Sequence, residues 1–306
     1  MNGISVSGAP ASSTLANIIQ GYNRTMASSL EKISTGLRVN RPSDDIISYF
    51  RSQELTKLAD TSSTVAKGLD EHIGLLNTAQ DALSTVSDIM DKMVKLAKEA
   101  SSETSDTIRA TMGKEYDDLK DSITTIVSTT RYDGQLILNG NLDVDASVGG
   151  NSGEGRKAQV GEGVNDTYTY QVLDTRVNKD SSGTYNGLNI NNSSMEDLWS
   201  DATTGQTAAA TSYSELTATD AGQIRLRRNI SKIDTELMVM NGAKTTMVNK
   251  QSNYQAASSA LSGVDQAEET SRYTSMQIQQ QAAASFLAQS NVSYGNVIGL
   301  LTRTRG

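Results

Sequence analysis

Asp117, Asp118 and Asp121 place three carboxylates within one turn and a half of a predicted helix. Closely held carboxylates are the usual material of general acid–base catalysis. Nothing that would complete such a site accompanies them: no nucleophile–base pair and no glycine-rich phosphate loop. They read as a solvated helix face. The chain has one histidine, His72, and no cysteine. A His-pair zinc site of the HExxH type is therefore excluded, as are thiolate chemistry and disulfides. His72 falls on an apolar seam and reads as a partly buried seam residue, although any histidine is a candidate pH sensor. No catalytic residue, metal site or cofactor is expected.

Six Asn-x-Ser/Thr triplets begin at Asn23, Asn165, Asn191, Asn192, Asn229 and Asn291. Such triplets arise easily in a Ser/Thr-rich chain.

The balance of 27 Lys+Arg against 35 Asp+Glu gives a net charge of −8. That argues against nucleic acid as a partner, because phosphate binding wants a basic face. No apolar run approaches 18 residues, so no transmembrane helix is expected. Met1–Gly36 has no charged segment followed by an apolar one, so no ordinary cleavable signal peptide is expected either. The 306 residues suffice for roughly two domains, but hydrophobic residues make up only 36% and aromatics 5%. A chain this lean can fold by burying narrow seams between long helices.

The elements follow from periodicity. Both prolines, Pro10 and Pro42, lie early, so the rest of the chain permits very long helices. Leu58, Val65, His72, Ala79, Val86, Met93 and Ala100 form one line of a heptad seam. Ser62, Leu69, Leu76, Leu83, Met90 and Ala97 form the other. Ser43 is the predicted cap of this helix, with Asp44 and Asp45 in its first turn. The stretch SSETSD (101–106) ends it. Asp106 then caps a second helix reaching Thr129, with Ile108, Met112, Tyr116, Leu119, Ile123 and Ile126 on its buried face.

RYDGQLILNG (131–140) reads as a turn, an apolar run and a second turn. Residues 140–210, rich in Gly, Ser, Thr and Asn, read as β-hairpins and loops. Helix resumes near Ala221 with Leu226, Ile233, Met240, Met247, Tyr254 and Leu261 spaced by sevens. Ile230 and Leu237 begin its second line, and Lys244, Gln251 and Ser258 continue it in polar form. In the N-terminal segment, Leu15, Met26 and Leu37 are eleven apart, as are Ile19 and Leu30, and Tyr22 and Ile33. Eleven residues over three turns predict a slight right-handed supercoil. The chain reads as mainly α: a long antiparallel helical bundle with a small β-rich insertion and nested N- and C-terminal arms.

Several blocks together resemble bacterial flagellin. SLEKISTGLRVNRPSDD (29–45) is similar to that family's N-terminal signature. DIMDKMVKLAKEASSET (88–104), RYDGQLILNG and, more loosely, RKAQVGEGVNDTYTYQV resemble its later blocks. SMQIQQQAAASFLAQSNVSYGNVIGLL (275–301) resembles its C-terminus. The blocks occur in the family's order. MNGISVSGAPASSTL departs from the family's usual N-terminal run. NRPSDD is closer to the related hook–filament junction proteins, which are the alternative reading.

The resemblance implies a structural subunit rather than an enzyme, a homo-oligomer that polymerises into the extracellular flagellar filament. It also implies type III export without cleavage, and an export chaperone, cap and hook-junction proteins as further partners. Residues 1–42 and 265–306 would form an inner coiled-coil assembly domain. Residues 43–139 and 211–264 would form a helical core, and 140–210 an outer segment. Inner-domain assembly would use Leu15, Ile19, Tyr22, Met26, Leu30, Ile33 and Leu37 with Ile278, Phe286, Leu287, Val297, Leu300 and Leu301. Arg38, Asn40, Asp44 and Asp45 match the family motif and would order the joint between layers. Gln277, Gln280, Gln281 and Gln289 would line a central channel, with Ile278, Phe286 and Leu287 turned toward the N-terminal helix. Lys92, Val94, Lys95 and Leu96 fall in the segment that a Toll-like receptor recognises in the family. Val94 and Lys95 replace an Arg and a Glu there, so weak or absent recognition is expected.

Overall fold

A computed structural model of the chain describes residues 9–139, 155–172, 175–177, 188, 190, 194–218 and 222–303; the side chains of 9–12, 294 and 297–303 are outside it. The expected second turn at Asn139-Gly140, the triplets at Asn191 and Asn192, and the side chains of Val297, Leu300 and Leu301 fall outside the described residues.

Seven helices and two short hairpins are seen among the described residues. They are α1 (Ala9–Thr35), α2 (Ile46–Ser102), α3 (Asp106–Thr129), β1 (Arg131–Tyr132), β2 (Gln135–Leu136), β3 (Arg156–Gln159), β4 (Thr167–Tyr170), α4 (Met195–Ser200), α5 (Gly205–Thr217), α6 (Gly222–Ser262) and α7 (Gln266–Arg303). They fall into two compact units. One comprises Met1–Ala59 with Ser252–Gly306, the other Asp60–Gln251.

In the Asp60–Gln251 unit the heptad seam of α2 is the spine of the core. Ser62, Leu69, Leu76, Leu83, Met90 and Ala97 are all buried, as are Val65, Ala79, Val86, Met93 and Ala100. His72 on the same seam is half-buried, as its position requires. α6 runs antiparallel to α2 and contributes Leu226, Ile233, Met240 and Met247. Gln223 bonds Asp91 at 2.6 Å, Gln80 bonds Asp234 at 2.6 Å, and Lys244 pairs with Asp70 at 2.5 Å. Falling residue numbers on α6 meet rising ones on α2. The polar second line of α6 is thus partly used for register: Lys244 finds its carboxylate at the seam edge.

α3 turns inward most of the face its apolar spacing predicts, with Met112, Leu119 and Ile126 half-buried against the core, but the covered arc is wider than expected. Arg109, Gly113, Tyr116, Lys120, Ile123 and Val127 are buried, whereas Ile108 is exposed. The cause is α4, a helix of six residues that packs on this face. Arg109 Nε donates to the Trp199 main-chain oxygen at 3.0 Å, and its Nη atoms reach the Glu103 and Asp201 main-chain oxygens and the Asp106 carboxylate. Gly113 is the point of closest approach: a Cβ there would meet the Met195 main-chain oxygen at 2.4 Å. Buried polar groups are tolerated when they are bonded, so a basic pair can face inward here. Asp106 opens α3 as its first residue rather than as its cap. Ser105 occupies the cap position without a side-chain bond, and the Glu103 carboxylate accepts from the Thr104 and Ser105 N–H groups.

Asp117 corrects the solvated-face reading. Its carboxylate pairs with buried Lys120 at 2.7 Å and accepts the Met195 and Glu196 N–H groups at 2.7 and 3.2 Å. Those are free donors at the start of α4, so a residue 78 positions earlier supplies the cap. Asp118 and Asp121 are exposed, as expected.

The 140–210 stretch also holds more helix than its composition suggests. β3 and β4 pair antiparallel, Arg156 opposite Tyr170 and Gln159 opposite Thr167, which is the expected hairpin. α4 and the start of α5 then lie in the same stretch. Met195, Trp199, Ala209, Ser212 and Leu216 recur at helical spacing and are buried. The many Gly, Ser and Thr around them hid that sparse pattern. The β3–β4 hairpin is stapled to the helices on both sides: the Tyr170 hydroxyl lies 2.8 Å from His72 Nδ1 on α2, and the Tyr168 hydroxyl bonds Glu236 on α6. β1 and β2 close through Asp133 and Gly134, both at positive φ, in the two-residue turn that suits strand twist.

Candidate assembly surface

In the other unit, α1 and α7 lie antiparallel. Ser29 Oγ donates to buried Glu269 at 2.5 Å, and Gln280 Nε2 donates to Asn23 Oδ1 at 2.6 Å. On α1 the covered positions are Leu15, Ile19, Tyr22, Met26, Ser29 and Ile33. Their steps of four and three make a heptad line, not an eleven-residue one. Leu30 is 55% exposed and Leu37 is exposed as well, so the eleven-residue lines that include them do not describe this contact. The reason lies in α7, whose covered residues Glu269, Tyr273, Met276, Gln280, Ala283 and Leu287 step in the same heptad phase. Two helices can interlock along only one common period.

This phase also corrects the expected orientation of α7. Leu287 faces α1 as anticipated. Ile278 stands about 200° round the helix from Met276 and Phe286 about a quarter-turn off the covered line, at 63% and 64% exposed. Neither packs on α1. Gln280, expected to face away, turns toward α1 and bonds Asn23. Gln277, Gln281 and Gln289 are exposed on the outer arc and share it with Ile278.

Between α1 and α2 the motif residues build a joint. Gly36, at φ +72°, ends α1 in the left-handed conformation common after a helix. Its N–H bonds Lys32 O at 2.8 Å and its carbonyl accepts from Val264 at 3.0 Å. The Arg38 guanidinium donates to Leu261 O at 2.8 Å, and the Arg38 and Val39 N–H groups both donate to Ser262 O. Those are terminal carbonyls of α6, which lack partners inside their own helix, and a guanidinium there also complements the helix dipole. Asn40 Nδ2 bonds Thr35 Oγ1 at 2.9 Å, and Arg41 pairs with Glu31 at 2.9 Å. Asp44 accepts the Asn40 and Arg41 N–H groups at 3.0 Å, closing a turn.

Asp45, not Ser43, caps α2. Its carboxylate accepts from Ile47 and Ser48 N–H and from the Ser48 hydroxyl at 2.6 Å, and these bonds hold its pKa below the usual value. Pro42 and the Asp44 turn delay the helix to Ile46. On the far side of the joint Asp265 does the same for α7, accepting from Ala267 and Glu268. Of the four motif residues, Arg38 reaches the end of α6 at Leu261 and Ser262, Asn40 and Asp44 close the turn after α1, and Asp45 caps α2.

This unit is poorly furnished with a core of its own. Val39, Ala59, Met276 and Ala283 are its buried apolar side chains among the described residues. Ile18, Leu30, Leu37, Ile46, Ile47, Phe50, Ile278, Phe286 and Val292 stand in solvent. In the other unit the proportions are reversed. Large exposed apolar patches mark interaction surfaces.

The receptor-like segment lies on α2. Lys92 and Lys95 are exposed, whereas Val94 and Leu96 are half-buried, Val94 against the core. Of the described Asn-x-Ser/Thr triplets, Asn229 is buried, which leaves it inaccessible in the folded chain. No group of three or more potential metal ligands occurs among the described residues.

Comparison with known proteins agrees with this geometry. Residues 6–143 match the bacterial flagellin N-terminal helical region and residues 238–301 the bacterial flagellin C-terminal helical region, together well over half of the chain. The chain is 28% identical to a flagellin of Halalkalibacterium halodurans, over 89% of this chain and 90% of that one. It is 26% identical to a flagellin of Bacillus subtilis, over 93% and 95%. To a flagellar filament 30.7 kDa core protein of Treponema maltophilum it is 25% identical, over 95% and 98%.

Proposed function

The chain belongs to the bacterial flagellin family, whose members are structural subunits of the extracellular flagellar filament, and from that premise we propose how its parts divide the work of assembly. The α1–α7 unit is the assembly element. It is completed by other copies of the same chain, while the Asp60–Gln251 unit folds on its own core.

One observation carries this reading: the contrast between four buried and nine exposed apolar side chains in the first unit. A pair of helices with one thin covered stripe gains too little from burial to offset its ordering entropy. The apolar groups on its outer arcs gain their burial when neighbours cover them. Assembly and ordering are then one step, which keeps free subunits from polymerising prematurely. Ile278 and Phe286 meet neighbouring copies rather than α1. Gln277, Gln281 and Gln289 keep the outer arc of α7 uncharged, which suits the wall of a channel through which other subunits pass. The motif residues Arg38, Asn40, Asp44 and Asp45 fix the chain path where α1, α2, α6 and α7 meet.

Export by the flagellar type III route, and binding to an export chaperone, a filament cap and junction proteins, follow as the partners of such a subunit. With Val94 and Lys95 in the receptor segment, the monomer is a weak ligand of the Toll-like receptor; a response of ordinary flagellin potency would refute that. The assembly reading is tested by deleting residues 1–42 and 265–306. The remaining chain should keep its cooperative thermal transition and remain monomeric under conditions where the full chain forms filaments in negative stain. Filament growth by the truncated chain would overturn it.

A further inference from the structure

The outer arc of α6 carries three exposed large apolar side chains, Met238, Val239 and Val248, at 76%, 36% and 45%. Met238 stands about 200° round the helix from Met240 and about 180° from Met247, and those two are buried. It therefore points directly away from the core, and it is no part of the core cluster. Its neighbours on the arc give it no cover. Asn241, Gly242 and Thr245 are exposed, and a Cβ added at Gly242 would meet nothing within 4 Å. The chain has ten methionines and no cysteine, so thioethers are its only sulfur. Of the other methionines among the described residues, Met26 and Met112 are half-buried and the remaining six are buried.

We infer that Met238 is the site at which the folded subunit is reversibly oxidised by peroxide. A lone pair on Sδ attacks one oxygen of hydrogen peroxide. The S–O bond forms as the O–O bond breaks, and the second oxygen leaves as water. The sulfur loses two electrons and the peroxide gains them. The product is methionine sulfoxide, which methionine sulfoxide reductases return to the thioether. A thiolate would compete for the oxidant, and this chain has none. Access of the oxidant to sulfur then ranks the methionines. A sulfoxide at Met240 or Met247 would place a polar group in the core without a partner. At Met238 the same group stays in water, so the fold survives it. Oxidation thus changes one arc of α6 from apolar to polar, and reduction changes it back. This chemistry belongs to the single subunit and stands apart from the filament reading.

Trypsin releases residues 233–244, IDTELMVMNGAK, which hold exposed Met238 and buried Met240 in one peptide. The full chain is exposed as monomer to hydrogen peroxide under native conditions, quenched and digested, and fragment ions locate the added oxygen. Met238 should oxidise about tenfold or more faster than Met240 in the folded chain, and the two rates should converge in denaturant. The thermal transition should be unchanged when Met238 alone is oxidised. Methionine sulfoxide reductase should remove that oxygen without unfolding the chain. In Met238→Leu the peptide should stay unmodified over the same exposure. Equal rates at Met238 and Met240 in the folded chain, or rapid oxygen uptake by this peptide in Met238→Leu, would overturn the assignment.

Discussion

The Arg38 guanidinium donates to the Leu261 main-chain oxygen at 2.8 Å, linking residues 223 apart in sequence at the joint of four helices. Replacement by alanine removes this donor from the end of α6 and the charge that complements its dipole. Arg38 is exposed, so the loss is about 1 kcal/mol. Arg38→Ala should therefore reduce amide protection at the α6–α7 turn and slow filament growth, measured by hydrogen exchange and light scattering. Arg38→Lys should recover part of both.

Ser29 and Glu269 make a buried contact that no motif announces. Ser29→Ala leaves the Glu269 carboxylate buried without that donor, at a cost of about 1–3 kcal/mol. The loss should appear as a raised critical concentration for assembly. The thermal transition of the monomer, governed by the other unit's core, should stay within experimental error.

Asp117→Ala removes both the partner of buried Lys120 and the cap of α4. The expected loss is about 3 kcal/mol in chemical denaturation. Asp118→Ala and Asp121→Ala, on the exposed side of the same helix, should each stay within about 0.5 kcal/mol of wild type. Equal effects for all three would restore the solvated-face reading.

His72 sets an acid limit. Burial, with a lesser contribution from Arg156, lowers its pKa below the ordinary 6.5. Because the folded value is the lower one, the unfolded chain takes up the proton first. The stabilising contribution is complete above about pH 6.5 and is lost progressively as pH falls from there through the folded pKa. The Tyr170 phenol beside it is pushed up to about 12, chiefly by burial, and stays neutral across this range. The thermal midpoint should drop between pH 6.5 and 5 in the wild type, and that step should shrink in His72→Gln.

Sequence alone determined the long helices, the buried heptad seam of α2 and the turn at Asp133-Gly134, whereas the antiparallel pairing of α1 with α7 came from the tertiary structure. The first three rest on local periodicity or turn chemistry that neighbours reinforce. Tertiary structure decided what depended on the partner surface. α3 buries a wider arc than its apolar pattern predicts because α4, a helix too short to show in the sequence pattern, docks there: Arg109 bonds the Trp199 main-chain oxygen, and Asp117 both pairs with Lys120 and caps α4. α1 keeps a seven-residue phase because α7 does, although its own apolar residues fit eleven equally well. Ile278 and Phe286 look like core in one dimension and lie outside it in three. A sequence records which side chains are apolar, whereas the helix that covers them fixes which arc they occupy. In the α1–α7 unit much of that apolar surface has no cover within the single chain.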